Sequence, residues 1–230
     1  MPTKRSKIIF YAVGSLAILF GLFVFVSTRD IPLPNNAKKE GDMIHINISE
    51  EAINETEKNE ALFVVPERFT PEVFERGFAF NFKFPDGTPY TGNESPVPLD
   101  RVRVVVKHHA KIEAARSSYI LRQTQPKDGS LFVTPWFVES KDGLEIYQYK
   151  IDATAIGTYF KFVATDGSNI LAEDAGDWAR AYEINRKLSP HIELNYLLSK
   201  KLVRDSKHFI EDVTAVDNAV LKLVQSFQSK

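Results

Sequence analysis

The five histidines are the side chains best suited to hold a metal or move a proton, and His108-His109 is the tightest pair among them. On a strand, neighbouring side chains point to opposite faces, so the two cannot simply grip one ion. His45, His191 and His208 stand far apart and could converge only through the fold. No zinc-type ligand spacing is present. The chain has no Cys and two Met, one of them the first residue. Disulfides, thiolate nucleophiles and Cys-ligated metals are thereby excluded, and a thioether copper site has little to build on. Ser117-Ser118 lacks the flanking glycines of a nucleophile elbow. Glu173, Asp174 and Asp177 cluster where a helix is expected to start, and acidic side chains complement the dipole there. Calcium would need more oxygen ligands in one loop, and the EF-hand pattern is missing. Trp136 and Phe137 could line a ligand groove, although neighbours on a strand face opposite ways. The expectation is therefore no catalytic residue, no cofactor and no bound metal.

The first thirty residues say where such a chain would work. Lys4, Arg5 and Lys7 precede an uncharged run from Ile8 to Ser27. Some 20 apolar residues suffice to cross a bilayer. The run is longer than a signal-peptide core and ends in Phe23-Val24-Phe25-Val26, a poor cleavage site, so an uncleaved anchor is expected. The basic flank places residues 1–7 in the cytoplasm and sends everything after 27 outside. That makes a single-pass inner-membrane protein with a periplasmic C-terminal domain. Gly14 and Gly21 lie seven apart, near one helix face, and are candidates for packing against another membrane helix. Net charge is −1 with acidic and basic residues mixed, so nucleic acid is not an expected partner.

Beyond the anchor, residues 28–43 read as a linker, broken by Pro32, Pro34 and the Lys38-Lys39-Glu40-Gly41 cluster. Residues 44–170 read as a β-rich exported domain. Ile44, Ile46 and Ile48 alternate with polar residues, as do Phe78, Phe80, Phe82 and Phe84. Val102, Val104, Val106 and His108 form the next alternating face. Further strands are expected over Leu131–Val138, over Glu145–Ile151 after the Lys141-Asp142-Gly143 turn, and over Phe160–Ala164. A polar stretch from Ser49 to Ala61 could be a surface helix, while Lys111 to Arg122 stays ambiguous. Residues 171–230 read as helical. One helix is expected over Asp174–Lys187 and a longer one from His191 to the C-terminus. In the latter, Phe209, Val213, Val216, Val220, Leu223 and Phe227 are spaced four, three, four, three, four, the seam of a helix meeting another surface. That surface is either the chain's own domain or a partner.

Two stretches resemble bacterial immunoglobulin-like modules. One is Phe84-Pro85-Asp86-Gly87-Thr88-Pro89-Tyr90-Thr91-Gly92 with the Val-rich strand from Arg101; the other is Ile156-Gly157-Thr158-Tyr159-Phe160 through Asp166-Gly167. The resemblance spans about residues 78–167 and implies an antiparallel β-sandwich with a binding or scaffolding role. Periodicity leaves open an α+β arrangement with helices packed on a curved antiparallel sheet. The functional expectation is a non-enzymatic structural or assembly subunit of a cell-envelope complex of secretion, pilus or conjugation type. It would contact other envelope proteins or copies of itself. A periplasmic ligand-binding or sensing module is the alternative, and an envelope enzyme acting on lipid or glycan is the third.

Overall fold

A computed structural model describes residues 33–49, 60–90, 92, 98–108, 135–150, 156–176, 179–189 and 191–229. The apolar run 8–27 with Gly14 and Gly21, residues 50–59 of the helix expected over Ser49–Ala61, and residues 109–134 with Ser117-Ser118 lie outside them, while Ser49, Glu60 and Ala61 at the ends of that expected helix lie in strands. Among the described residues no helix is long and apolar enough to cross a membrane. The fold below belongs to the compact unit that begins at Pro34.

The unit is mainly antiparallel β with one C-terminal helix. Strands β1 (Ala37–Glu40), β2 (Met43–Ser49) and β3 (Glu60–Pro66) form a three-stranded sheet in that order. Residues 37–43, expected as linker, are thus a strand and its turn: Gly41, at φ 61°, lets the chain reverse between Glu40 and Met43. Among the described residues the second sheet has ten strands: β4 (Glu72–Phe74), β5 (Gly77–Lys83), β6 (Thr88–Pro89), β7 (Arg101–His108), β8 (Trp136–Lys141), β9 (Leu144–Lys150), β10 (Ile156–Val163), β11 (Asn169–Asp174), β12 (Ala181–Lys187) and β13 (Ile192–Ser199). Their order is β4-β5-β7-β13-β12-β11-β10-β9-β8, with β6 on β5. Helix α1 (Phe209–Phe227) follows.

One expectation fails here. Residues 171–174, 181–187 and 192–199 lie in strands rather than helices, and α-helix begins only at Phe209. Strands β12 and β13 lie inside the sheet and are buried on parts of both faces, so they lack the alternation that marks a strand. The expected sandwich is met in its coarser form, as two antiparallel sheets. Strands β5 to β10 all belong to the one large sheet.

One face of that sheet makes the core. Phe80, Val104, Tyr196, Ile184, Ala172, Phe160 and Ile146 follow one another across it in register. Ile46, Ile48, Phe63 and Val65 from the small sheet and Val213, Val216, Val220 and Val224 from α1 complete the same cluster. Full burial of each such side chain is worth roughly 1.5–3 kcal/mol. Phe227 meets Phe69 and Phe80 edge-on, with ring centroids 5.2 and 5.3 Å apart. The chain leaving α1 then rejoins β3, where the Ser229 amide donates to the Leu62 carbonyl. The helix seam is therefore taken up by the chain's own domain. Leu223 is only partly buried, and Val224 takes its place on the inner stripe, because an α-helix advances 3.6 rather than 3.5 residues per turn.

Candidate functional site

Among the described residues the large sheet is wider than what covers it. At the N-terminal end of α1, Phe209 packs on Phe160 of β10 at 4.7 Å. Strands β9 and β8 continue outward from there. All six residues of β8 are exposed. Trp136 is 39% exposed, Phe137 56% and Val138 44%, so these side chains belong to a surface and not to a core. The β8–β9 hairpin turns on Asp142 (φ 52°) and Gly143 (φ 83°), the two positive φ values of a tight hairpin turn.

Between this hairpin and the first turns of α1 lies an open groove of about 930 Å³. Leu144, Ile146, Phe160, Tyr182, Phe209 and Ile210 give it an apolar floor, and Glu139, Lys141, Asp205 and Glu211 stand on its rim. The size falls within the range of small-ligand sites. The rim charges are partly neutralised locally. Asp205 meets His208 Nδ1 at 2.8 Å, and Arg204 clasps Asp212 and Glu211. The bond from His208 holds the Asp205 carboxyl below its usual range, and the bond from Arg204 does the same for Asp212.

The opposite face of the same strands carries a tyrosine cluster. Tyr149 stacks on Tyr159 at 4.7 Å and donates its hydroxyl to Glu173 at 2.6 Å. Its ring lies across Gly157, where a Cβ would come within 2.2 Å of it, so glycine is what admits the ring. Tyr147 donates to Glu145 at 2.7 Å, and Lys161 pairs with the same carboxylate. Burial, then the bond to Glu145, pushes the Tyr147 phenol up to about 12, and burial with the Glu173 bond raises Tyr149 further. Both phenols stay protonated near neutral pH. They act as fixed donors and not as bases.

A buried charge network ties α1 to the sheet. Arg186 of β12 pairs with Asp217 of α1 and, at 2.5 Å, with Asp166. The Tyr196 hydroxyl donates to the second Asp217 oxygen at 2.9 Å. Burial pushes the Asp217 carboxyl up, and the Arg186 guanidinium pulls against it. Sequence reading passed over this network. Its signal was nonetheless present, since Asp217 sits beside Val216 on an otherwise apolar stripe, where an unpaired charge would be costly.

The fold brings two histidines together, His108 and His191, stacked 6.1 Å apart. His45 sits near Glu40 and His208 near Asp205, away from that pair. Glu173 and Asp174 end a strand rather than start a helix, and Asp174 accepts from Lys200 at 2.6 Å. Among the described residues no three His, Cys, Asp or Glu gather as a metal site.

Surface ion pairs also set the acid behaviour. Glu72 is held below its usual range by its bond to Arg103, as Asp212 is by Arg204. Such groups stabilise the fold above their unfolded values, and the contribution is lost as pH falls through the folded values. Asp217, being raised, has the opposite sign: its share declines as pH rises through the carboxylate range. The Glu72→Gln/Asp212→Asn double variant is therefore expected to show a shallower fall in Tm between about pH 5 and about pH 2 than the parent, centred near the unfolded carboxylate values of about 4. Thermal melts across that range check it, and parallel profiles would refute it.

No family model, no curated protein and no solved structure matches the chain.

Proposed function

We propose that this chain is a structural or assembly subunit of a cell-envelope complex, of the secretion, pilus or conjugation kind, that works by protein–protein contact. In this reading residues 8–27 anchor it in the inner membrane with the N-terminus in the cytoplasm, and the β domain stands on the periplasmic side. The observation that carries the reading is the end of the large sheet. Among the described residues strand β8 has a hydrogen-bonded neighbour on one side only, and Trp136, Phe137 and Val138 are exposed along it. Adding a strand at such an edge is a general route to protein recognition. Large apolar side chains grouped on a surface also mark interaction sites.

Site-specific photocrosslinking in intact cells, followed by mass spectrometry, tests it. A crosslinker at Phe137 is expected to capture a discrete protein, and one at Lys38 on the far sheet is not. Recovery of the uncrosslinked monomer from both positions would overturn the proposal. The groove beside α1 favours a second reading, a periplasmic ligand-binding module, because its floor is apolar and its rim polar. That reading requires a small amphiphile to raise the melting temperature, with Ile210→Trp abolishing the rise.

A further inference from the structure

The sheet edges are not treated alike. Strand β1 carries Lys38, Lys39 and Glu40, and both lysines are engaged in ion pairs. The edge of β3 is closed by Gln228 and Ser229. Strand β4 is three residues long, and the Asn36 side-chain amide caps the Phe74 and Glu75 carbonyls at 3.1 and 3.2 Å. Charge, closure, shortness and bulges are the usual guards against unwanted strand pairing, and of these β8 carries a bulge at Val138 with Glu139 and Lys141 beyond it. Strand β8 is six residues long, starts Trp-Phe-Val, and among the described residues has a neighbour on one side only.

We infer that β8 pairs with β8 of a second copy, antiparallel, about a two-fold axis between Val138 and Glu139. This rests on the reading of the domain as one that acts by protein contact. The register of β8 favours self-pairing. Opposed residues in a continuous sheet must point to the same face. Pairing all six residues of β8 with themselves sets Trp136 against Lys141, Phe137 against Ser140 and Val138 against Glu139. In a regular strand, positions five apart point to opposite faces, and that register would fail. The bulge between Phe137 and Glu139 corrects it. Trp136 pairs with Gln148 and Lys141 with Leu144, both on the core side, while Phe137 and Ser140 pair with Tyr147 and Glu145 on the other. The bulge thus makes the edge self-complementary in facing. It also sets each Trp136 ring beside the other copy's Lys141 ammonium, a favourable cation–aromatic pairing.

The absence of native cysteine makes the register directly testable. The Phe137→Cys and Ser140→Cys proteins are purified as full chains in mild detergent, mixed and oxidised. Directly opposed residues lie within disulfide reach, whereas like positions are three residues out of register and beyond the ~7 Å Cα limit. The mixture is expected to give a covalent dimer and each protein alone to remain uncrosslinked. Val138→Lys, at an exposed position, is expected to keep its circular dichroism and weaken dimerisation at least tenfold by sedimentation. A monomeric parent, or crosslinking of each single variant as readily as of the mixture, overturns the inference. Capture of a different protein at Phe137 in cells without a dimer sinks the inference and leaves the assembly role standing. A register-true dimer that captures no other protein supports the inference and narrows the assembly role to self-association.

Discussion

Replacing Asp217 with alanine is expected to lower the free energy of unfolding by about 3–5 kcal/mol, the usual cost of leaving one buried charge without its partner. Arg186 keeps its guanidinium at 2% exposure, with only the half-exposed Asp166 left to balance it. The Tyr196 hydroxyl, fully buried, loses its acceptor in the same step. Equilibrium denaturation in urea would show a lower midpoint. The Arg186→Met/Asp217→Leu double variant should recover most of the loss, because a well-packed apolar pair removes both desolvation costs. If Asp217→Ala alone unfolds like the parent, the network does not hold the helix to the sheet.

Phe80→Ala is expected to cost about 3–5 kcal/mol as well, through a different term. Phe80 is completely buried, and its ring meets Phe69 at 5.8 Å, Phe78 at 6.1 Å, Phe82 at 6.4 Å and Phe227 at 5.3 Å. These contacts join the large sheet to the 3-10 turn after β3 and to the last turn of α1. The surrounding strands are hydrogen-bonded on both sides and cannot collapse into the space left behind. Phe137→Ala is the comparison, since its ring is more than half exposed and loses chiefly an edge-on contact with Tyr147 at 5.6 Å, so the same deletion should cost about 0.5–1.5 kcal/mol. Similar losses at both positions would mean that Phe137 lies in a core after all.

Where one face of an element is buried and the other wet, the residues announce it. The Ile44-Ile46-Ile48, Phe78-Phe80-Phe82 and Val102-Val104-Val106 faces were legible because burial on one side leaves a period of two. The buried stripe of α1 was legible for the matching reason at the helical period, apart from the slip from Val224 to Leu223. Strands β12 and β13 were not. Ile192, Glu193 and Leu194 are all buried in succession, and a run without alternation reads as readily for a buried helix. Their identity as strands rests on distant partners, since Leu194 is placed by Val106 on one side and Arg186 on the other. The exposure of Trp136 and Phe137 was hidden too, because aromatic residues on a strand usually mean core.

By itself the sequence determined a mainly antiparallel β unit with a C-terminal helix that buries an apolar stripe. These properties follow from local geometry, the two-residue period of a strand and the 3.6-residue period of a helix. Only the tertiary structure decided that ten strands share one sheet, that Arg186 finds Asp217, and that α1 stops short of β8. Those outcomes depend on which distant surfaces meet and how far the covering layer reaches, and no window of neighbouring residues carries that information.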